Sequence, residues 1–139
     1  MTLARFAAFA SVAGIAILAF LASPALGQAV GALNPAVTQE TLATTICKSG
    51  YTATIRPTRY EMYAIKRRMM RTQHITYRRI ADHIVPLEVG GAPRALANIQ
   101  LQTVAAAKRK DQREHSTRRA ICSGRMTLAQ GQALFGARP

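Results

Sequence analysis

An aspartate stands directly before a histidine at Asp82-His83, and Asn98 follows that histidine by fifteen residues. A carboxylate is a hard oxygen ligand for a divalent cation, and an imidazole can take a proton from water near neutral pH. An asparagine amide can hold a loop or a ring in place through hydrogen bonds. These residue types predict metal-assisted hydrolysis, with a structural hydrogen-bonded Asp82-His83 pair as the alternative.

The residues around this cluster predict the elements that position it. β-Branched and aromatic residues favour a strand over residues 75–85. A Gly-Gly pair predicts a loop over residues 87–94, and Ile99 and Leu101 indicate a second short strand or an extended return. The longest helical pattern covers residues 104–121, so the predicted order is strand, loop, strand and helix.

Further elements are predicted on both sides of this unit. Residues 41–47 resemble a short helical turn, and residues 51–55 an extended segment. A Thr-x-x-Glu capping box opens a helix over residues 59–72. A Thr-x-x-Gln box opens a last helix that ends near Phe135.

The chain begins with the pattern of a secretory signal peptide over residues 1–27, because one arginine precedes an apolar run and small residues follow it. The alternative is a membrane anchor, for which the run is short. Cleavage would leave a flexible N-terminus over residues 28–45 and one domain over residues 46–139. The mature protein is then expected in the periplasm or secreted, as a monomer without stable membrane insertion.

The charge of the chain is strongly positive, with 19 Lys and Arg against 6 Asp and Glu and a net charge of +13. Residues 56–79 and 108–125 hold 15 of the 19 basic residues. Two solvated helix faces would explain the polarity but not the shortage of acids. The charge therefore argues against an ordinary enzyme of small metabolites and favours a polyanion as partner, nucleic acid before an anionic membrane surface. Among nucleic acids, DNA is expected before RNA. The residues predicted to contact phosphates are Arg67, Arg68, Arg71, Arg78, Arg79, Lys108 and Lys110.

The two cysteines, Cys47 and Cys122, are 75 residues apart. An even cysteine count in an exported chain favours a disulfide. The alternative of two metal ligands lacks any Cys or His at zinc-finger spacing near either cysteine.

The segment DHIVPLEVGG followed by Asn98 resembles the core of the HNH nucleases, the ββα-metal or His-Me finger superfamily. The flanking segments TICKSGYTATIRP, IKRRMM, KDQRE and AICSGRMTLAQGQ resemble small exported bacterial HNH-like proteins, so the resemblance covers about residues 45–133. It implies an α+β fold with a ββα-metal core around one divalent metal ion, flanking helices and one disulfide. In the implied mechanism His83 activates the attacking water, Asp82 binds the metal and Asn98 orients His83.

The chain departs from the family pattern on the helix. The histidine that HNH sequences carry about nine residues after the asparagine is replaced by Ala107. Asp111 lies one helical turn further on the same face and is the predicted second carboxylate ligand, with Glu114 and His115 as weaker candidates. Two carboxylates would favour Mg²⁺ or Mn²⁺, and Zn²⁺ or Ni²⁺ are the alternatives.

The sequence thus predicts an exported, metal-dependent endonuclease that hydrolyses nucleic-acid phosphodiester bonds. The first alternative, which Ala107 supports, is an HNH-like module that binds nucleic acid without cutting it. The second is a cationic surface-active protein, which would need a basic amphipathic helix with a broad apolar face.

Overall fold

The computed structural model describes residues 30–137, so the predicted signal peptide lies outside the described residues. Within them the chain forms a mixed α+β fold with a two-stranded antiparallel sheet and four α-helices, which confirms the α+β part of the predicted fold. In chain order the elements are α1 (Tyr51–Ile55), α2 (Arg59–Thr72), β1 (Ile80–His83), β2 (Ile99–Gln102), α3 (Val104–Cys122) and α4 (Leu128–Ala133).

Helix α2 has the bounds that its capping box predicts. The Thr58 hydroxyl accepts the backbone N–H of Glu61 at 3.1 Å, and the Glu61 carboxylate accepts that of Thr58 at 2.6 Å. Two backbone donors that the first helical turn leaves free are therefore satisfied. Helix α3 likewise matches its prediction, with one residue more at its C-terminal end.

Two segments differ from the sequence-based expectation. Residues 51–55, predicted as extended, form helix α1, because Gly50 takes a left-handed backbone (φ 79°) and its carbonyl accepts the N–H of Ala53. The strand predicted over residues 75–85 is only four residues long. Its partner β2 is also four residues long, and pairing from Ile80 opposite Gln102 to His83 opposite Ile99 uses both strands completely.

Residues 31–45, which we expected to be flexible, pack against the loop that follows β1. Leu33 forms a β-bridge with Gly91, and the backbone N–H of Asn34 donates to the Gly90 carbonyl at 2.9 Å. Val37 is 6% exposed and belongs to the hydrophobic core. This segment is therefore part of the packed domain.

The hydrophobic core lies between the N-terminal segment, the loop after β1, the end of α3 and α4. Helix α2 contributes no buried residue to it, so this helix packs on the outside of the core. The buried residues of the core are Val37, Ile46, Val85, Val89, Ile121, Leu128, Phe135 and Ala137.

A disulfide joins Cys47 to Cys122, with the two Cα atoms 5.5 Å apart, which confirms the predicted pairing. It fastens the segment before α1 to the C-terminal end of α3. Among residues 30–137, no helix has the length and apolar character needed to cross a bilayer.

Replacing both cysteines by serine should lower the free energy of unfolding by about 4 kcal/mol, because the bond closes a long loop in the unfolded chain. Urea denaturation of the oxidised, reduced and doubly substituted proteins measures the difference. Equal unfolding free energies for the three would show that the bond does not stabilise the fold.

Candidate functional site

The side chain of Asn98 is fully buried at the junction of β1, β2 and the loop between them. Its Oδ1 accepts the backbone N–H of Val85 at 2.8 Å, and its Nδ2 donates to the carbonyls of Val85 and Ala92, both at 3.0 Å. These partners all belong to the loop backbone. Asn98 therefore acts on His83 through the loop, and it makes no hydrogen bond to the imidazole within the described residues.

Two glycines allow the backbone to approach this amide closely. A Cβ on Gly91 would lie 1.8 Å from the Val85 carbonyl oxygen, and a Cβ on Gly31 would lie 2.5 Å from Asn98 Oδ1. Real side chains do not tolerate such distances. Gly91, the second residue of the Gly-Gly pair that predicted the loop, therefore permits the close packing around the Asn98 amide.

His83 ends β1 and is 5% exposed. Its Nε2 lies 2.9 Å from the carbonyl oxygen of Pro93. Because a carbonyl only accepts, Nε2 carries the proton and Nδ1 keeps its lone pair. Nδ1 makes no hydrogen bond within residues 30–137, so the ring is oriented as a base.

Burial lowers the pKa of His83 below its usual value, against the opposing effects of the Pro93 hydrogen bond and the Asp82 carboxylate. Lys110 and Arg56 add smaller effects that also lower it. The imidazole is therefore neutral at pH 7, which is the protonation state that a general base needs.

The loop that carries Pro93 is attached to the first two helices by Arg94. The Arg94 guanidinium donates to Glu61 Oε1 at 3.0 Å and to the carbonyl of Ile55 at 3.3 Å. The Thr58 backbone N–H, and then Arg94, lower the pKa of Glu61 to about 2. Glu61 is thus ionised over the physiological range and caps α2 while it binds the loop.

The Asp82 carboxylate is already engaged by the protein. Oδ1 accepts the backbone N–H of His83 at 2.8 Å, and Oδ2 accepts both the Gln102 amide and the Lys110 ammonium, the latter at 2.8 Å. Lys110 also pairs with Glu114, and its side chain is only 11% exposed. Burial raises the pKa of Glu114, and the hydrogen bond and charge of Lys110 offset part of this increase. One ammonium group therefore lies between two carboxylates.

This arrangement does not fit the divalent ion that the sequence predicts. Asp111, the predicted second ligand, is exposed, and Lys110 is the residue of α3 that reaches Asp82. Ala107 is buried and offers no donor atom. In the described part of the chain, no three His, Cys, Asp or Glu side chains are grouped so that they could hold a metal.

Most of the predicted phosphate-binding residues are available to a ligand. Five of the seven are exposed and Arg79 is half-buried, whereas Lys110 is committed to Asp82 and Glu114. Apart from Lys110, none of the seven forms an ion pair within residues 30–137. The exposed five are Arg67, Arg68, Arg71, Arg78 and Lys108.

Two contributors to the site are absent from the sequence-based assignment, and one pairing between assigned residues was not recognised. The Pro93 carbonyl has no sequence signal, since every residue carries a carbonyl. Gln102 becomes a partner of Asp82 only through the strand register. The ion pair of Lys110 with Glu114 could have been predicted from the sequence, because opposite charges four residues apart lie next to each other on a helix.

The chain matches no protein-family model, no curated protein and no solved structure. What the site can do is therefore inferred from its own geometry. That geometry joins a buried, neutral imidazole with a free Nδ1 to a carboxylate neutralised by an ammonium group, beside exposed arginines.

Replacing Asn98 by alanine should lower the free energy of unfolding by about 3 kcal/mol or more, because three buried backbone groups lose their partner. Gln100→Ala removes an amide from the adjoining strand β2. That amide makes no side-chain hydrogen bond in the described residues, so its loss should cost far less. Urea denaturation measures both variants. Equal losses would contradict the role given to Asn98.

The lowered pKa of His83 predicts that acid destabilises the protein. Below about pH 6.5 the histidine of the unfolded chain binds a proton that the folded His83 does not. The free energy of unfolding therefore decreases as the pH is lowered. His83→Gln should make this pH dependence shallower. NMR titration of the His83 ring gives the pKa directly, and a value above 6.5 would contradict the prediction.

Proposed function

We propose that this protein hydrolyses phosphodiester bonds of nucleic acid, with His83 as the general base. The observation that carries the proposal is the orientation of the ring. Pro93 fixes the proton on Nε2, and burial keeps the ring neutral, so Nδ1 is ready to accept a proton. A catalytic site needs these features, whereas a purely structural histidine does not require a free Nδ1.

In the proposed reaction Nδ1 of His83 takes a proton from water as the water oxygen bonds to phosphorus. The bond from phosphorus to the departing 3′ oxygen breaks, and that oxygen gains a proton from solvent. The positive charge of Arg56 acts on the His83 ring, because it contributes to the lowered pKa of His83. The Asp82 carboxylate acts on the ring with a larger effect of opposite sign, so the charge that develops on a phosphate beside His83 would be stabilised by direct contact with the Arg56 guanidinium.

The order of elements supports a ββα core as the proposed fold family. Strands β1 and β2 form an antiparallel hairpin, and α3 follows directly and contacts β1. The divalent ion that the resemblance implies stays a prediction. The described donor set does not fit it, so no step of the proposed reaction passes through a metal.

We also propose that the protein works outside the cytoplasm. The disulfide supports this location, because such bonds persist in oxidising compartments.

A second candidate function is nucleic-acid binding without cleavage. It is favoured by the ion pair between Lys110 and Asp82, which neutralises the predicted ligand, and by Ala107 in the place of the expected histidine. Both candidates require the same basic surface. They differ in whether the protein cleaves the nucleic acid that it binds.

His83→Ala should reduce the rate of nucleic-acid cleavage by roughly 10²- to 10⁴-fold, because a positioned general base contributes about that much. Binding should persist, since the exposed arginines are unchanged. The assay uses plasmid DNA and a folded RNA, each with Mg²⁺, with Mn²⁺ and with chelator. His74→Asn is the matched control, because His74 is exposed and has a left-handed backbone (φ 53°) that asparagine tolerates.

Cleavage by the wild-type protein and by His74→Asn, but not by His83→Ala, is the expected result. Equal cleavage by all three would remove His83 from the reaction. Binding without cleavage under every condition would favour the second candidate.

A further inference from the structure

Three of the four tyrosines expose their rings to solvent. Tyr60 is 81% exposed, Tyr63 54% and Tyr77 58%, whereas Tyr51 packs against the core. Helix α2 carries the first two and buries no residue. Burial in the core therefore does not explain these rings, which we call the tyrosine platform.

Two residues of the platform, Tyr60 and Tyr63, line two adjoining grooves that share Tyr63. The first has a volume of about 330 Å³ and is lined along the outer face of α2 by Tyr60, Tyr63, Arg67 and Arg71. The second has a volume of about 260 Å³, lies between α2 and the chain entering β1, and is lined by Tyr63, Lys66, Arg78, Arg79 and Ala81. Ala81 precedes His83 by two residues on β1, so the groove reaches the face of the strand that carries His83.

The charge of both grooves is entirely positive, because no carboxylate lines either of them. The acidic residue of α2, Glu61, is bound by Arg94. The guanidinium groups lie close to the rings, with Arg67 5.9 Å from the Tyr63 centroid and Arg79 4.4 Å from that of Tyr77. Aromatic faces thus alternate with cations along the surface.

Arg79 provides a second, independent observation. Its Nε is buried and has no hydrogen-bond partner in the described part of the chain, while its Nη2 donates to the Tyr77 hydroxyl at 2.6 Å. Buried donors are normally paired. A shift of the Arg79 side chain that exposes Nε to the second groove would let an anionic oxygen satisfy this donor through a charge-assisted hydrogen bond.

We propose that the tyrosine platform binds single-stranded nucleic acid, with bases stacked on the tyrosines and phosphates held by the arginines. In a duplex the bases are stacked on each other, so only an unpaired strand can use exposed rings. The second groove guides such a strand toward His83. This inference rests on the proposed function and deepens it, because it names the form of nucleic acid that the site receives.

The test measures binding by fluorescence anisotropy, with His83→Ala protein so that the probes stay intact. The probes are a twelve-nucleotide dT strand, its rU counterpart, an abasic strand with the same phosphates, and a twelve-base-pair duplex. Tyr63→Ala should weaken binding to the dT or rU strand by roughly 5- to 100-fold. It should leave binding to the abasic strand unchanged, and Tyr63→Phe should bind like the parent.

Arg67→Ala is the matched control for charge. It should weaken binding to every probe, because it removes a phosphate contact and not a stacking surface. A Tyr63→Ala loss that is equal on the abasic strand, or absent on all probes, would overturn the proposal, as would duplex binding as tight as that of the single strands. Tighter binding of the dT strand would identify DNA as the ligand, and tighter binding of the rU strand would identify RNA.

Binding and cleavage fail separately in this design. Base-dependent binding without cleavage by the wild-type protein would refute the proposed function and keep the platform. Cleavage without tyrosine-dependent binding would refute the platform alone.

Discussion

The hydrogen bonds of the buried Asn98 amide are the interaction on which the rest of the site depends. The amide joins the start of β2 to Val85 and Ala92, so it closes the loop that leaves β1 and returns to β2. Pro93 follows Ala92 directly, and its carbonyl orients the His83 ring. One side chain that never touches the ring therefore determines which ring nitrogen is free. Because a buried polar group is costly without partners, alternative loop conformations that break this set are strongly disfavoured.

The charges around Asp82 follow a different rule. A buried ammonium group between two carboxylates avoids an unpaired charge in a poorly hydrated place. This arrangement holds α3 against β1, and it places an ammonium group at Asp82 Oδ2, where it would repel an added cation. The same residue cannot be fully paired with lysine and serve as an open metal ligand. Lys110, which the sequence analysis assigned only to phosphate binding, therefore determines whether Asp82 is paired with an ammonium group or open to a metal ion.

Local signals in the sequence predicted the elements that local interactions determine. Capping boxes and helical periodicity identified α2 and α3, and cysteine count with the export pattern identified the disulfide. Helix α1 and the packed N-terminal segment were missed, because a left-handed Gly50 and bridging to Gly91 depend on the three-dimensional context. At the site, residue types located Asp82, His83 and Asn98. The partners that determine their chemistry, a backbone carbonyl and a lysine from α3, depend on register and packing that a single sequence does not specify.

Helix α2 carries no buried residue, so its outer surface can be basic and aromatic without any loss to the core. The helix contacts both strands, with Met62, Ile65 and Met69 half-buried. The capping box and the contact of Glu61 with Arg94 stabilise it further. Arg94 is also the residue next to Pro93. The contact that stabilises α2 is therefore one residue away from the carbonyl that binds His83 Nε2. The ion pair of Glu61 with Arg94 thus links α2 to the loop segment that orients the His83 ring.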